Sequence, residues 1–320
     1  MKTPRILIIA GSDSGGGAGI QADIKTVTMF GGHAMTAITA ITAQNTLGVQ
    51  AVMPVPTAMV LAQIESCVSD IGVDAVKIGM IGSAETANAL ADRLAQLDVP
   101  IVFDPVMVAT SGSVLADPAT IAAFGRLMTV ATLTTPNLPE LAVLEGRSQR
   151  RKGEGDPDRV PDDNFNPPPP RGGGAEGDGG GGERCPLRQG APLPPPPSRY
   201  ARHLPLAGED VERPSGLGHL LIKGGHAEGP DIIDRLLLNG EEIARWLNPR
   251  IVTRHSHGTG CTLASGIAAG LGAGLPLPDA IGRAIAYVRA ALAHAPGLGE
   301  GHGPMGHALG RVPYDVLTNA

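Results

Sequence analysis

Apolar and polar positions follow one another along this chain in blocks that predict strands alternating with helices. Compact apolar runs, such as residues 5–10, predict buried strands, and apolar residues at helical spacing, such as Ile20, Ile24 and Val27, predict helices. Strands are expected near residues 5–10, 34–41, 51–55, 74–79, 99–104, 131–135, 219–223 and 251–254. Helices are expected near residues 20–30, 57–70, 83–97, 117–128, 137–145, 259–273 and 277–294.

Two further strands are expected near residues 232–238 and 241–247, because the Asn239-Gly240 pair between them is typical of a tight hairpin turn. The alternation elsewhere predicts an α/β fold with a mostly parallel sheet covered by helices on both faces. Ligands of such sheets bind beyond the carboxyl ends of the strands. Because a glycine loop, Asp104, Asn137 and Lys223 each end or follow a predicted strand, we expect them to form one site.

Residues 147–216 do not follow this pattern. Proline and glycine make up 27 of these 70 residues, and apolar residues are sparse and aperiodic. Such a segment buries too little apolar surface to offset its ordering entropy, so it is predicted to be disordered. It is either a frameshifted stretch, since GC-rich codons read out of frame yield Gly, Pro and Arg, or an authentic flexible insertion. Residues 5–146 and 217–307 are expected to form the core of a single domain over 1–320.

The segment His257-Gly-Thr-Gly-Cys261 opens a run of small residues that is predicted to be helical. Backbone N–H groups at a glycine-rich helix start have no intrahelical partner, so the position suits an anion. Cys261 lies in the first turn, where the pKa of a thiol is expected to be lowered. An anion site beside a thiolate indicates phosphoryl transfer onto a hydroxyl, and the alternative is a glycine turn before an inert buried thiol.

A second glycine-rich stretch joins the first predicted strand to the first predicted helix. It runs Gly11-Ser-Asp-Ser-Gly-Gly-Gly-Ala-Gly19 and is no P-loop, because no Gly-Lys-Ser/Thr follows. Continued through Thr26, it resembles the opening signature of the hydroxymethylpyrimidine/phosphomethylpyrimidine kinases of thiamine biosynthesis. Six other segments resemble that family in the same order: Thr42-Ala-Gln-Asn-Thr46, Lys77-Ile-Gly-Met80, Asp104-Pro-Val-Met107, Thr135-Pro-Asn-Leu-Pro-Glu140, Lys223-Gly-Gly-His226 and His257–Cys261.

The resemblance covers roughly residues 5–146 and 217–307, and it implies the three-layer α/β/α fold of the ribokinase-like superfamily. It also implies phosphorylation of 4-amino-5-hydroxymethyl-2-methylpyrimidine by ATP and Mg²⁺, and of the monophosphate to the diphosphate. In that reaction Cys261 is the base that activates the hydroxymethyl group, and the amides of Gly258, Thr259, Gly260 and Cys261 hold the transition-state oxygens.

The resemblance places the pyrimidine on Gln44, whose amide both donates and accepts and so matches a ring nitrogen beside an exocyclic amine. The alternative is a loop glutamine with no ligand. Family positions that wall the pocket match Gly11, Ala18, Gly79, Met80 and Val106. From their residue types alone, Met80 and Val106 are ordinary core residues.

On the nucleotide side, Asp104 and Glu140 are the expected Mg²⁺ carboxylates, acting through water. Lys223 is a point charge suited to phosphate. Asn137 is expected to contact phosphate or metal-bound water, or to cap the helix at 137–145, and both roles are compatible. The histidines show no closed zinc spacing.

Charge and composition agree with a small-molecule enzyme. A net charge of −6 argues against a broad nucleic-acid surface. The cysteines Cys67, Cys185 and Cys261 are odd in number and far apart, and no apolar run reaches membrane-spanning length. We therefore expect a cytoplasmic kinase that binds neither nucleic acid nor membrane, with a homodimer as one expected assembly. A pyridoxal-type kinase and a catalytically impaired pyrimidine-binding protein, caused by residues 147–216, remain alternatives.

Overall fold

The computed structural model describes residues 3–109, 112–146 and 218–310. Its strands are β1 (Arg5–Ala10), β2 (His33–Ile38), β3 (Ala40–Asn45), β4 (Gly48–Pro54), β5 (Ala75–Ile78), β6 (Ile101–Phe103), β7 (Leu133–Thr134), β8 (His219–Ile222), β9 (Asp231–Leu238) and β10 (Glu241–Pro249). Its helices are α1 (Gly19–Met29), α2 (Thr57–Asp70), α3 (Ala84–Leu94), α4 (Pro118–Val130), α5 (Leu138–Leu144), α6 (Thr259–Gly272) and α7 (Leu277–Ala293).

Eight of the strands form one sheet in the order β2-β1-β5-β6-β7-β8-β9-β10. The six strands from β2 to β8 in that order are parallel, and β9 and β10 are antiparallel additions at one edge. A mostly parallel sheet in an α/β fold was predicted from the alternation of strands and helices, and it is confirmed. The carboxyl ends of the parallel strands therefore meet at one edge of the sheet.

Two hydrophobic cores lie on opposite faces of this sheet. Alternate residues of β1 belong to different cores: Leu7 and Ile9 pack with α2, α3 and α4, whereas Ile6 and Ile8 pack with α1, α6 and α7. All four side chains are fully buried. A strand buried on both faces is continuously apolar, which is why the run at residues 5–10 predicts β1 correctly.

Two strand predictions are wrong. The strand expected at 34–41 is two strands, β2 and β3, because the chain leaves the main sheet at Thr39 and β3 pairs with β4 in a separate two-stranded sheet. The strand expected at 251–254 is irregular, and within the described residues no strand pairs with it. Val252 is 94% exposed there, so its β-branched side chain has no sheet to pack on.

The helices and the hairpin are confirmed to within a few residues. Asn239 and Gly240 both have positive φ, 47° and 88°, as the tight turn between β9 and β10 requires. The prediction that residues 147–216 are disordered falls outside the described residues and stays a prediction, as do the single-domain organisation and the two origins offered for the segment. None of the helices in the described ranges is both long enough and apolar enough to cross a membrane.

Candidate active site

A cavity of about 870 Å³ opens where the carboxyl ends of β1, β5, β6 and β8 approach the start of α6. Every predicted site residue except Gly79 lines it. Gly79 is buried, and Lys77 Nζ lies 2.7 Å from the position that a Cβ on Gly79 would occupy. The lining residues are Gly11, Ala18, Gln44, Met80, Asp104, Val106, Asn137, Glu140, Lys223, Gly258, Thr259, Gly260 and Cys261.

The start of α6 depends on a glycine with a left-handed backbone. Gly258 is the N-cap with φ of 85°, and a Cβ there would overlap the Gly17 carbonyl oxygen. Glycine therefore lets α6 begin directly against the glycine loop. The Thr259 amide faces Ser256 O at a weak 3.4 Å. The amides of Gly260 and Cys261 lie in the first turn, where a helix offers no acceptor, and this suits an anion.

The expected acidity of Cys261 is not found. Burial raises the pKa of Cys261 to about 11, and the charges of Asp23 and Asp104 raise it further, although Lys77 and a backbone hydrogen bond from Gly19 act in the opposite direction. The prediction of a lowered pKa at the helix start is therefore wrong for the ligand-free protein. Loss of hydration outweighs the helix start, so the thiol is the predominant form at neutral pH.

Asp13 organises the glycine loop between β1 and α1. Its carboxylate accepts hydrogen bonds from the amides of Gly15 (2.8 Å), Gly17 (3.0 Å) and Ala18 (2.7 Å). Its Oδ2 also lies 2.9 Å from His257 Nε2. Although burial favours the neutral form, the hydrogen bonds from His257 and the loop amides hold the pKa of Asp13 below its ordinary value. Sequence reasoning missed Asp13, although an aspartate within a glycine-rich loop is a known turn signal.

Gln44 lies in β3 and lines the cavity. Its backbone N–H donates to Ser14 Oγ (2.7 Å), and the Ser14 hydroxyl donates to the backbone carbonyl of Gln44 (2.8 Å). The side-chain Nε2 lies 3.0 Å from His257 Nε2. Because that imidazole nitrogen donates to Asp13, we assign the opposite amide orientation, with Gln44 Oε1 facing His257. The Nε2 group then faces Thr42 Oγ1, 3.4 Å away, which can accept.

Asp104, Glu140 and Lys223 form a charged cluster that lines the same cavity. Lys223 Nζ lies 2.7 Å from Asp104 Oδ1 and 3.8 Å from Glu140 Oε2. Thr135 Oγ1 donates to the same Asp104 oxygen at 3.0 Å. Both carboxylates are buried, at 1% and 8% exposure. The cluster therefore holds two buried carboxylates around one ammonium group.

Burial and neighbouring charges shift the pKa values in this cluster. Burial raises the pKa of Glu140 to about 6, and the charge of Asp104 adds to this, whereas Lys223 works against it. The carboxylates raise the pKa of Lys223 despite its burial. Lys223 is therefore charged at neutral pH.

Asn137 caps α5, as one of its two interpretations predicts. Its Oδ1 accepts from the Glu140 amide at 2.8 Å, and Glu140 Oε2 accepts from the Asn137 amide at 2.8 Å, which is a complete capping box. Asn137 also lines the cavity. Capping uses its carbonyl oxygen, so its Nδ2 can still donate to a ligand.

The helix start and the charged cluster adjoin each other. A Cβ at Gly260 would lie 3.2 Å from Asp104 Oδ2 and 3.4 Å from Lys223 Nζ. Cys261, the amides at the start of α6 and the charged cluster are therefore neighbours in the cavity wall. Within the described ranges, no group of three or more His, Cys, Asp or Glu side chains is arranged to hold a metal. Asp104 and Glu140 would thus need water to complete a coordination shell.

Comparison with known proteins gives one consistent result. The family model described as Phosphomethylpyrimidine kinase matches residues 13–158 and 201–306. A hydroxymethylpyrimidine/phosphomethylpyrimidine kinase of Streptomyces coelicolor is 42% identical over 311 residues, covering 96% of this chain and 96% of that protein. The thiamine biosynthesis bifunctional protein ThiED of Geobacter sulfurreducens is 39% identical over 306 residues; the alignment covers 95% of this chain and 52% of that longer protein.

Solved structures of vitamin kinases share the fold. An ADP complex of Bacillus subtilis pyridoxal kinase superposes with a TM-score of 0.69 at 25% identity, covering 96% of this chain and 98% of that chain. A phosphomethylpyrimidine kinase of Clostridium difficile gives a TM-score of 0.58 at 26% identity, covering 90% of this chain and all of that chain. The expected ribokinase-like α/β fold is therefore confirmed.

Proposed function

The chain belongs to the phosphomethylpyrimidine kinase family, and from this membership we propose how its residues phosphorylate 4-amino-5-hydroxymethyl-2-methylpyrimidine and then its monophosphate. A kinase of this family uses ATP as co-substrate. The observation that carries the assignment of roles is that Cys261, the α6 amides, the Asp104–Lys223 pair and Gln44 line one cavity, in which the α6 start adjoins the Asp104–Lys223 pair. This arrangement can hold an acceptor and a phosphoryl donor together.

Gln44 recognises the pyrimidine in this proposal. Its carbonyl oxygen accepts from the exocyclic amine and its Nε2 donates to the adjacent ring nitrogen, so both of its hydrogen-bonding groups are used. Gly11 and Met80 form an apolar wall for the ring, with the Met80 Sδ at 3.0 Å from the position of a Cβ on Gly11. Ala18 and Val106 line the same cavity. Because Gly11 has no side chain, the Met80 side chain can pack directly against the backbone at position 11.

The phosphoryl side is assigned to Asp104, Glu140, Lys223 and Asn137. Two buried carboxylates beside an ammonium group fit Mg²⁺, a hard cation that prefers oxygen ligands and keeps much of its water. When bound, Mg²⁺ neutralises phosphate charge during transfer. Lys223 would then move from the carboxylates to the phosphate, and Asn137 Nδ2 would donate to a phosphate oxygen or a metal-bound water.

Cys261 is the proposed base. Its thiolate takes the proton of the substrate hydroxymethyl group while the hydroxyl oxygen bonds to the γ-phosphorus and the bond to the leaving ADP oxygen breaks. The amides at the start of α6 stabilise the charge on the transferred group. Because the resting thiol has a pKa of about 11, it must first lose its proton to solvent. The reaction therefore depends on a minor, ionised form of the residue.

A direct assay tests this proposal. The full chain is incubated with the aminopyrimidine, ATP and Mg²⁺, and the monophosphate and diphosphate are followed by mass spectrometry, with the Cys261→Ala variant as the control. We expect both products from the parent chain. Pyrimidine binding without any phosphorylated product would instead identify the impaired pyrimidine-binding protein.

The pyridoxal kinase neighbours favour one second candidate, a pyridoxal-type kinase. Pyridoxal offers a ring nitrogen and a hydroxymethyl group but no amine beside that nitrogen, so it would satisfy only half of the Gln44 amide. One lost hydrogen bond costs ~1 kcal/mol or more. We expect kcat/KM for the aminopyrimidine to exceed that for pyridoxal by about tenfold. A higher kcat/KM for pyridoxal would instead identify the protein as a pyridoxal-type kinase. A cytoplasmic location and a homodimer stay predictions.

A further inference from the structure

A fully buried lysine–aspartate pair lies under Cys261, and the reaction proposed above makes no use of it. Lys77 Nζ lies 2.8 Å from Asp23 Oδ2, and both side chains are 0% exposed. Ser265 Oγ donates to the other Asp23 oxygen at 2.6 Å. The three residues come from β5, α1 and α6, so the cluster joins the sheet to both helices that flank the glycine loop.

The stability of the protein does not explain this pair. Removing two charges from water costs several kcal/mol per ion, and a buried ion pair typically adds little beyond what an apolar pair of equal size would provide. The location is more informative. Ser265 follows Cys261 by four residues in α6, so the two side chains lie on one face of the helix, one turn apart. The charged pair is thus anchored one helical turn below the candidate base.

Four charged groups influence Cys261. Asp23 on α1 and Asp104 after β6 oppose its ionisation, and Lys77 on β5 and Lys223 after β8 face it as cations. Lys223 lines the cavity and is shared between two carboxylates, and the proposed function moves it to the phosphate. Lys77 also contributes to the cavity lining, but it is 0% exposed and paired with the equally buried Asp23. Lys77 is therefore the cation near Cys261 whose position does not change during the reaction.

We propose that Lys77, held in place by Asp23 and Ser265, is a positioning residue whose fixed charge stabilises the thiolate of Cys261. Its use in catalysis rests on the proposed function, because only then does the thiolate accept a proton from the substrate. The proton balance is simple: the thiol releases its proton to solvent, and the thiolate later takes the hydroxyl proton. Lys77 keeps its own proton throughout and transfers nothing.

Alkylation of Cys261 by iodoacetamide tests the proposal in the ligand-free full chain. The rate is measured from pH 7 to pH 10.5, and peptide mass spectrometry separates Cys261 from the other cysteines. Two neutral replacements of the pair are compared with the parent: Lys77→Gln with Asp23→Asn, and Lys77→Met with Asp23→Leu. Both variants also remove the Asp23 charge, which opposes ionisation and offsets part of the larger Lys77 effect. We therefore expect Cys261 alkylation to slow severalfold, and by at most about tenfold, at a given pH, since one unit of thiol pKa changes the thiolate fraction about tenfold.

Cys67 in α2 serves as the internal reference, and its alkylation should not change in either variant. One variant replaces the pair with polar side chains and the other with apolar side chains. If one of them does not fold, the other still tests the proposal. An unchanged alkylation profile at Cys261 in a folded variant would overturn the proposal and make Lys77 a structural residue. Because alkylation needs no substrate, an inactive parent chain would refute the proposed function and leave this measurement intact.

Discussion

His257 Nε2 lies 2.9 Å from Asp13 Oδ2, and this contact joins two segments that are 244 residues apart. Asp13 orders the glycine loop after β1, whereas His257 directly precedes the N-cap of α6. The ring of His257 also packs on Gly17, whose missing side chain makes room for it: a Cβ there would lie 2.6 Å from His257 Cδ2. The contact therefore places the glycine loop against the helix start that carries Cys261.

Replacement of Asp13 should loosen this junction. Asp13→Ala leaves three loop amides and His257 without their acceptor, and each unsatisfied buried donor costs ~1–3 kcal/mol. We expect a clear loss of unfolding free energy in urea and weaker pyrimidine binding. Asp13→Asn keeps one acceptor oxygen and should lose less. Equal stability of the parent and the alanine variant would show that the loop is held by other contacts.

Gln44→Ala tests recognition of the pyrimidine. If the amide pairs with the aminopyrimidine edge, its loss should weaken binding by ~1–3 kcal/mol, as measured by calorimetry. Gln50→Ala is a matched control, because Gln50 lies on the neighbouring strand β4, is exposed, and bonds only locally to Asn45 and Gly48. An unchanged affinity for the pyrimidine in Gln44→Ala would remove Gln44 from the site.

The sequence predicts most of this fold because strong apolar periodicity and local turn chemistry decide its elements. The Asn239-Gly240 turn and the buried strand β1 are set by local residues and appear as expected. The run at 251–254 is β-branched, but a strand also needs a partner, and pairing is a property of the tertiary structure. The same reason explains why β3 could not be separated from β2 in advance.

In the candidate site, too, local sequence predicts some features, whereas others depend on the tertiary structure. Motif order located its lining residues, but the acidity of Cys261 depends on burial, which the helix start alone does not reveal. Lys77 in the apolar strand β5 and Asp23 among the buried residues of α1 were visible as isolated charges. Nothing in the spacing of Asp23, Lys77 and Ser265 shows that they meet, because each comes from a different element.

His307 should make the stability of the protein depend on pH. Burial, aided by the charge of Lys25, lowers the pKa of His307 to about 4, and its Nε2 is 2.9 Å from Thr262 Oγ1. A histidine in the unfolded chain has a pKa of about 6.5, so between these two pKa values the unfolded chain binds a proton that the folded chain does not. Folding stability should therefore fall as pH decreases from about 6.5 to about 4, by about 3 kcal/mol.

Urea unfolding of the His307→Asn variant at each pH checks this expectation. The variant should be less stable than the parent at pH 8, because the contact with Thr262 is altered, but it should lose less stability on acidification. His33→Asn, at an exposed position on β2, should keep the steep dependence of the parent. Equal slopes for the parent and His307→Asn would contradict the prediction.

Replacement of Cys261 tests the proposed base. Cys261→Ser substitutes a hydroxyl that hardly ionises, so turnover should fall by ~10²–10⁴, the usual contribution of general base catalysis. ATP affinity should change little, because the amides at the start of α6 remain in place. Cys67→Ser, at a partly buried position in α2, is the matched control and should keep the parent rate.

The pH profile separates a base from a packing residue. Because the pKa of Cys261 is about 11, the thiolate fraction, and with it kcat/KM, should rise about tenfold per pH unit through the neutral and mildly alkaline range. Cys261→Asp places a carboxylate at the same point, and since carboxylates ionise at much lower pH, its residual activity should vary far less over that range. A serine variant that works at the parent rate with the parent profile would make Cys261 a packing residue. Transfer would then depend on the helix-start amides and the Asp104–Lys223 cluster alone.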